Sequence, residues 1–344
     1  NLNKINKITI RCLTNPSKGF GNFNRCLNIA ESLKQKNCLI SFVVDDNEFV
    51  ISELKKRKFN FASIPLSKSV FEKTNLLKNY LEQNNSKLCI IDMREYGEIL
   101  SKKLLNSNCK VVLFDDAWNK QVYADVIFNG TNVESYHNYE IINKNSKLFL
   151  GPNYWIIDKN FKFFRKKLSS IKIKKKYSII ITMGGSDKFN LTTTVVKSLM
   201  NIDDLHLSII VGPFFSHTET LMKIISSKPN ISLYKSPPKI WKIFSSADIA
   251  VCTGGNTLFE LACMGIPTLC IPSVIHEIKY AEEFKSQNFS LNLTLREKNM
   301  KHIKSAILNL ISDINLQKEM CVSGQKIIDG KGLSRVTKEI IHLL

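Results

Sequence analysis

The sequence predicts an α/β protein made of two similar halves, each built on a parallel sheet with helices on both faces. Three observations support this prediction. The chain has 344 residues, which suits two domains of about 150 residues each. Short apolar runs alternate with helix-length segments, as is typical of parallel sheets. A lysine-rich stretch over residues 162–176 interrupts this alternation, which then starts again.

The predicted strands are short and apolar in both halves, and helix-length segments such as 22–35 and 68–83 separate several of them. In the first half we expect strands at 7–13, 38–46, 88–92, 111–116, 124–129 and 148–152. In the second half we expect them at 177–185, 205–212, 231–235, 247–255 and 267–273, with helical patterns between them and through 306–344. The boundary between the halves is predicted near 165–176.

Composition excludes several classes of protein. Hydrophobic residues make up 44% and charged residues 23% of the chain, which is typical of globular proteins. No apolar run reaches the ~18 residues of a membrane span, and the polar N-terminus differs from a secretory signal. The nine cysteines are scattered without a Cys-x-x-Cys pair. We therefore expect a cytoplasmic protein with reduced, buried thiols and neither a zinc site nor a redox pair.

The formal net charge of +19 has two interpretations. It indicates an anionic partner such as nucleic acid, a membrane surface or a phosphorylated substrate, or it reflects a coding bias that places lysine wherever the surface permits. The lysines are spread along the chain and no nucleic-acid-binding motif accompanies them. We expect no nucleic-acid partner and no transmembrane segment, while peripheral membrane contact stays open and no oligomeric state is specified.

Three glycine-containing segments each follow a predicted strand and precede a predicted helix. Ligands of open α/β sheets bind at the carboxyl ends of strands, where helix N-termini offer N–H groups to phosphate. Each segment also has a structural interpretation, as a plain turn, an N-capped helix or a glutamate that caps its own helix. The candidate binding residues are Gly19 and Gly21; Gly184, Gly185, Ser186 and Asn190; and Gly254, Gly255, Asn256, Thr257 and Glu260.

Together and in this order, the segments resemble a known family. ADIAVCTGGNTLFELACMGIPTLCIP, residues 247–272, is similar to the donor-nucleotide segment of GT-B glycosyltransferases that use UDP-N-acetylglucosamine. From about residue 8 to about residue 283, the chain resembles the UDP-sugar hydrolase of pseudaminic acid biosynthesis and its spore-coat-polysaccharide relatives. The resemblance also rests on GFGNFNRCLNIAESL, FDDAWNKQVYADVIFNG, LGPNYWIIDKNF and MGGSDKFN.

The resemblance implies a GT-B fold, with two Rossmann-like domains that face each other across a cleft. On this basis the acceptor and catalytic domain spans 1–165, a linker spans 166–176, and the nucleotide-sugar-binding domain spans 177–325. A final helix over 326–344 returns to the first domain.

The resemblance also implies a reaction. The family hydrolyses UDP-2,4-diacetamido-2,4,6-trideoxy-β-L-altropyranose, so the implied ligand is a UDP-sugar. UDP is displaced from the sugar's anomeric carbon without a cofactor or metal. Asn190 and Glu260 are implied to contact the UDP moiety or the substrate. Arg25, Asp115 and Asp116 are implied to shape the acceptor side.

Asn22 is the main departure from the family pattern. The hydrolases normally carry G-x-G-H-x-x-R-C in the first loop, and that histidine is the expected base. An amide cannot take a proton near neutral pH and can only orient a water or an acceptor.

Four hypotheses follow from Asn22. The substitution is deliberate and traps a substrate complex. Another carboxylate acts as the base, with Asp92, Glu95, Asp115 and Asp116 as candidates. The acceptor is no longer water, and the protein is an inverting glycosyltransferase. The protein binds a nucleotide sugar and is catalytically silent.

A second departure lies at His276 and Glu277, where related GT-B proteins often carry Asn-Gln against the donor sugar. The pair either changes the sugar contacts, supplies a displaced acid and base, or begins an exposed helix with a glutamate that the helix dipole favours. Asp92-Met93-Arg94 also departs from the family and indicates a changed acceptor pocket. His137 is interpreted as a surface residue in a loop.

Overall fold

A computed structural model describes residues 6–14, 21–116, 121–294 and 296–344. The chain divides into two compact units. Unit 1 contains Asn1–Ile157 and Lys331–Leu344, and unit 2 contains Asp158–Gly330. Each unit has its own parallel sheet, so the predicted α/β class and the repetition of its pattern are confirmed.

Unit 1 holds a seven-stranded sheet in which every neighbouring pair of strands is parallel. Its elements are β1 (Lys7–Cys12), α1 (Gly21–Lys34), β2 (Leu39–Asp45), α2 (Glu48–Lys56), β3 (Asn60–Ile64), α3 (Val70–Gln83), β4 (Leu88–Asp92), α4 (Gly97–Leu104), β5 (Lys110–Phe114), β6 (Gln121–Val122), β7 (Val126–Asn129), β8 (Glu140–Ile141) and β9 (Lys147–Leu150). The strand order is β3-β2-β1-β4-β5-β7-β9, and β6 pairs with β8 separately. This order is that of a Rossmann-type sheet.

The central strands of unit 1 are buried on both faces, which explains their continuous apolar sequences. In β4, Leu88 and Ile90 pack in the same cluster as Phe23 of α1. Cys89 and Ile91 point the other way, into a cluster with Leu77 of α3. The alternation of side chains along a strand therefore supplies two cores from one five-residue sequence.

The sequence prediction missed β3 because this strand lies at the sheet edge and its sequence, NFASI, contains no continuous apolar run. Only Ile64 of its five residues is buried. The following helix, α3, is fixed by a capping box. Ser69 Oγ accepts from Glu72 N at 3.2 Å, and the Glu72 carboxylate accepts from Ser69 N at 2.8 Å.

Unit 2 holds a six-stranded parallel sheet with the order β12-β11-β10-β13-β14-β15, which repeats the Rossmann arrangement. Its elements are α5 (Lys159–Phe163), β10 (Tyr177–Thr182), α6 (Leu191–Leu199), β11 (Leu205–Val211), α7 (Thr218–Ile225), β12 (Ile231–Lys235), α8 (Ile240–Ser245), β13 (Ile249–Cys252), α9 (Asn256–Met264), β14 (Thr268–Cys270), α10 (Ile275–Ser286), β15 (Ser290–Asn292), α11 (Met300–Ser312) and α12 (Ile314–Ile327).

The predicted linker over 166–176 lies within unit 2. Lys166 N donates to the Met264 carbonyl at 2.8 Å, and Lys174 Nζ donates to Asp248 Oδ1 at 2.6 Å. Asp248 precedes β13, so these contacts hold the segment at the amino-terminal edge of the sheet. The chain thus passes from unit 1 to unit 2 at Ile157 and Asp158, which corrects the predicted boundary.

The chain returns to unit 1 at Lys331, so residues 326–330 of the predicted returning helix belong to unit 2. Helix α13 (Gly332–His342) then packs against α1. Val336 and Ile340 join the same core cluster as Phe23. A Cβ at residue 332 would collide with the carbonyl of Trp155, which requires glycine there.

No helix in the described part of the chain is both long enough and apolar enough to cross a membrane.

Candidate functional site

The strand order of each sheet reverses direction at its centre, between β1 and β4 in unit 1 and between β10 and β13 in unit 2. Ligands of open α/β sheets bind outside the carboxyl ends of strands at such switch points. The predicted site residues lie around these two places. The unit 1 group comprises Asn22, Arg25, Asp92, Asp115 and Asp116, and the unit 2 group comprises the predicted residues from Gly184 to Glu277.

Arg25 is the centre of the unit 1 group. Its Nε and Nη2 donate to the two oxygens of Asp92 at 2.7 and 2.6 Å, and its Nη2 also donates to Asp116 at 3.0 Å. Burial alone would lower the pKa of Arg25, but the Asp116 and Asp92 carboxylates raise it above its usual value. One cation whose side chain is 11% exposed therefore holds two carboxylates together.

Asp92 is fully buried and accepts two further hydrogen bonds. Asn22 Nδ2 donates to its Oδ1 at 2.7 Å, and Cys26 Sγ donates to its Oδ2 at 3.5 Å. Burial raises the pKa of the Cys26 thiol, which therefore stays protonated. Both oxygens of Asp92 are bound by donors, so this carboxylate is poorly placed to act as the predicted base.

Asp115 is the first member of a chain of hydrogen bonds, here called the relay, that was not predicted from the sequence. Tyr139 Oη donates to Asp115 Oδ2 at 2.6 Å, and Asn129 Nδ2 donates to Tyr139 Oη at 2.6 Å. Thr131 Oγ1 donates to Asn129 Oδ1 at 2.8 Å and lies 3.1 Å from His137 Nε2. Burial and Asp115 both raise the pKa of Tyr139, which keeps its proton.

His137 is half-buried and part of this relay, which corrects its interpretation as a plain surface residue. Burial lowers its pKa, so its ring is neutral near pH 7. Residues 137–140 line a shallow cavity of about 610 Å³. Glu95, another candidate base, is exposed. Gly21 is the first residue of α1, and Gly19 lies outside the described residues.

In the loop that follows β10, Asp187 caps the next helix, although it is not among the predicted binding residues. Asp187 accepts from Leu191 N and Thr192 N, both at 2.8 Å, and so caps α6. Asn190 has a left-handed backbone with φ 49°, and its Oδ1 accepts from Thr193 Oγ1 at 2.6 Å. The N-terminus of α6 therefore already holds an anionic group.

Gly184 and Gly185 of this loop differ in backbone conformation and in the space beside them. Gly184 has φ +83°, a conformation that favours glycine. No heavy atom lies within 4 Å of a Cβ built at Gly185, so space remains beside its backbone. Ser186 is half-buried.

Helix α9 differs from α6 because it lacks a cap. Gly255 occupies the N-cap position, and no side chain among the described residues caps the helix. Thr257 is half-buried and Asn256 is exposed. The first N–H groups of α9 can therefore bind an anion, and the helix dipole favours one there.

Glu260 lies one turn into α9 and is half-buried. Within the described part of the chain, no hydrogen bond to its carboxyl is seen, so it does not cap its own helix. Burial, with a smaller contribution from the Asp158 carboxylate, raises its pKa to about 8. A half-buried carboxyl without a protein partner is suited to bind a ligand's hydroxyl groups.

Glu277 has a structural role that its neighbours explain. Its Oε2 accepts from Ser273 N at 2.9 Å and from Ser273 Oγ at 3.0 Å, which fixes the start of α10. A Cβ at Gly254 would lie 2.6 Å from the Glu277 carbonyl oxygen, so close approach to α10 requires this glycine. The His276 ring packs edge-on against Tyr280 with centroids 5.9 Å apart.

Replacing Glu260 with glutamine is expected to stabilise the protein at alkaline pH. The folded protein holds this proton up to a pKa of about 8, against an ordinary value of 4.5, so the folded state binds more protons than the unfolded state between these values. The free energy of unfolding therefore falls as pH rises through this window, and glutamine removes that loss. The two melting temperatures should match below about pH 4.5, diverge as pH rises towards about 8, and differ by a constant amount above it.

The matched control is Glu282→Gln, which removes the same charge from an exposed position of α10. Its melting temperature should follow that of the unaltered protein throughout. A Glu260→Gln curve that runs parallel to the control would mean that Glu260 ionises normally in the folded state.

The chain is similar in sequence to several known proteins. Residues 179–329 match the family model described as the glycosyltransferase family 28 C-terminal domain. The spore coat polysaccharide biosynthesis protein SpsG of Bacillus subtilis is 26% identical over 330 residues, which cover 93% of each chain. The UDP-2,4-diacetamido-2,4,6-trideoxy-beta-L-altropyranose hydrolase of Campylobacter jejuni is 24% identical over 262 residues, which cover 74% of this chain and 87% of that protein.

A solved structure extends the likeness to the whole fold. The crystal structure of Acinetobacter baumannii MurG superposes with a TM-score of 0.74 at 14% identity, over 98% of this chain and 99% of that one. At this identity the likeness concerns the fold alone. It confirms that the two Rossmann-like halves form a GT-B protein.

Proposed function

We propose that this GT-B protein, which is similar to spore-coat-polysaccharide and pseudaminic-pathway proteins, binds a UDP-sugar and breaks its anomeric bond. In this proposal unit 2 binds the nucleotide, and the unit 1 group positions the group that attacks the sugar. Hydrolysis is the leading reaction, with the free sugar and a nucleoside diphosphate as products.

The observation that carries the proposal is the uncapped N-terminus of α9 beside the unengaged carboxyl of Glu260. The N–H groups of the helix suit a diphosphate, and the carboxyl suits the two hydroxyls of a ribose. Asp187 already accepts from the first N–H groups of α6. The Glu277 carboxylate lies near the start of α9, 3.1 Å from a Cβ built at Gly255, but its Oε2 accepts from Ser273 instead. The diphosphate is therefore assigned to α9.

The same helix end assists the proposed reaction. When the anomeric bond breaks, negative charge grows on the departing diphosphate. Fixed N–H groups and the positive end of the helix dipole stabilise that charge more in the transition state than in the ground state. The reaction as proposed requires no metal.

Asn22 determines how the attacking group is handled. Its Nδ2 is bound to Asp92, so its Oδ1 is the atom that can accept from a water or an acceptor hydroxyl. It orients that group but takes no proton from it. We therefore propose slow hydrolysis in this chain, and the same contact supports transfer to a more readily ionised acceptor as the second candidate.

UDP is expected to bind more tightly than CDP, CMP or GDP when each is titrated into the protein in a calorimeter. Glu260→Ala should weaken UDP binding by about 10- to 100-fold, because it removes the carboxyl that forms hydrogen bonds with the ribose hydroxyls. Glu282→Ala, which changes an exposed carboxylate of the same unit, should leave the affinity unchanged.

If no nucleotide binds, or if CMP binds best, the donor assignment is wrong. If UDP binds and no UDP-sugar is turned over with any acceptor, the chain is a nucleotide-sugar-binding protein without catalysis. These outcomes separate the three functions because binding and turnover are measured independently.

A further inference from the structure

The segment 159–176, here named the basic strap, has an unusual composition for a protein surface. Its eighteen residues include eight lysines and Arg165, and they contain no aspartate or glutamate. The strap opens unit 2 and leads into β10. A charge of this density without acidic residues attracts anionic partners.

The strap is anchored to unit 2 along its inner side. Phe161 and Ile171 are buried at 2% and 4% exposure. Arg165 Nη2 donates to the Gln325 carbonyl at 3.1 Å and to the Ile328 carbonyl at 2.5 Å. With the Lys166 and Lys174 contacts described above, these interactions fix the backbone and decide which side chains point outward.

The outward side chains combine apolar groups with lysines. Ile173 and Phe163 are 84% and 82% exposed, the highest values for large hydrophobic side chains in the described chain, and Leu168 is 46% exposed. The exposed lysines of the strap are Lys159, Lys162, Lys167, Lys172, Lys174, Lys175 and Lys176. Among the described residues, Lys174 is the one of these seven that forms an ion pair, with Asp248.

We propose that the basic strap binds the surface of a membrane that contains anionic phospholipid. Each lysine near such a surface adds to the electrostatic attraction. Apolar side chains that enter the boundary between headgroups and acyl chains add to this. Nucleic acid would satisfy the lysines and could stack on Phe163, but it offers no apolar medium to Ile173 and Leu168.

The position of the strap is compatible with nucleotide binding by the same unit. Lys174 is held by Asp248 at the amino-terminal edge of the sheet, whereas α9 begins at the opposite edge, after β13. A membrane on the strap would therefore leave the start of α9 uncovered by lipid. The inference rests on the strap and holds whether or not the proposed function is correct.

Vesicle co-sedimentation tests the proposal. The full chain is expected to sediment with vesicles of phosphatidylcholine and phosphatidylserine, and at least about tenfold less with phosphatidylcholine alone or at high salt. Phe163→Ser combined with Ile173→Ser should weaken binding to the anionic vesicles by about tenfold or more. Both side chains are exposed, so melting temperature should be retained.

Two control variants carry the same types of substitution at positions outside the strap. Phe71→Ser changes a phenylalanine of α3 that is 68% exposed. Lys55→Gln with Lys58→Gln lowers the net charge as much as Lys172→Gln with Lys175→Gln. Only the strap variants should lose vesicle binding.

Equal vesicle binding by all variants would overturn the proposal, as would no binding to anionic vesicles. Strap-dependent binding of an oligonucleotide, without strap-dependent vesicle binding, would assign the strap to nucleic acid instead.

Discussion

Replacing Arg25 with methionine is expected to destabilise unit 1 by about 3–5 kcal/mol at neutral pH. The substitution leaves Asp92 and Asp116 buried without the cation that joins them, and the side chains of both carboxylates are less than one-tenth exposed. Urea denaturation measures the loss, and hydrogen exchange of α1 and β4 identifies unit 1 as the part that opens.

The control for this prediction is Arg57→Met. Arg57 pairs with Glu31 and Glu53, but its side chain is 39% exposed, so the loss should stay below about 1 kcal/mol. Adding Asp116→Asn to Arg25→Met should restore part of the stability, since it removes one of the two negative charges that Arg25 joins, although Arg94 Nη2 also lies 3.7 Å from Asp116. Equal losses for Arg25 and Arg57 would show that the buried cluster is not held by charge.

Replacing Asn22 with histidine is expected to increase hydrolysis of a UDP-sugar by a factor of about 100 to 10,000. Asn22 is bound to Asp92 at 2.7 Å, and an imidazole N–H in its place can donate to the same carboxylate. That hydrogen bond orients the ring, and its second nitrogen can then take a proton from water. Release of UDP from UDP-2,4-diacetamido-2,4,6-trideoxy-β-L-altropyranose measures the gain.

Two variants make this gain interpretable. Asn22→Gln changes the size of the side chain without adding a base, so hydrolysis should not rise above its original rate. Asn22→His with Asp92→Asn keeps the imidazole but weakens its orientation, so most of the gain should disappear. An Asn22→His protein that binds UDP as before but hydrolyses no faster would favour transfer or silence over hydrolysis.

The parts of the fold that the sequence predicted are those where burial and periodicity agree. β4 is apolar throughout because both its faces are covered, so the run 88–92 identified it with its correct bounds. β3 lies at an edge, and four of its five residues are not buried, so no apolar run marks it. The boundary between units was misplaced because the charge of 162–176 looks like a linker, although Ile171 and polar contacts of Arg165, Lys166 and Lys174 anchor that segment.

The site was predicted as a set of residues but not as a set of contacts. The glycine and asparagine residues that follow predicted strands lie near both switch points. The sequence could not show that Asp187 caps α6, because Ser186, Asp187 and Asn190 are all good capping residues. Nor could it show that Tyr139 reaches Asp115, because 24 residues separate them. Such pairings depend on how the chain returns to the sheet, which local patterns do not record.

The return of the chain to unit 1 has a consequence for biosynthesis. Val336 and Ile340 complete a core whose other members lie between residues 8 and 156. A ribosome must therefore translate all of Asp158–Gly330 before this core can close. During that interval the nascent unit 1 exposes the apolar surface of α1 that α13 later covers, and such surface invites aggregation or chaperone binding. Unit 2 is contiguous in the chain and can finish folding first, although its synthesis begins later.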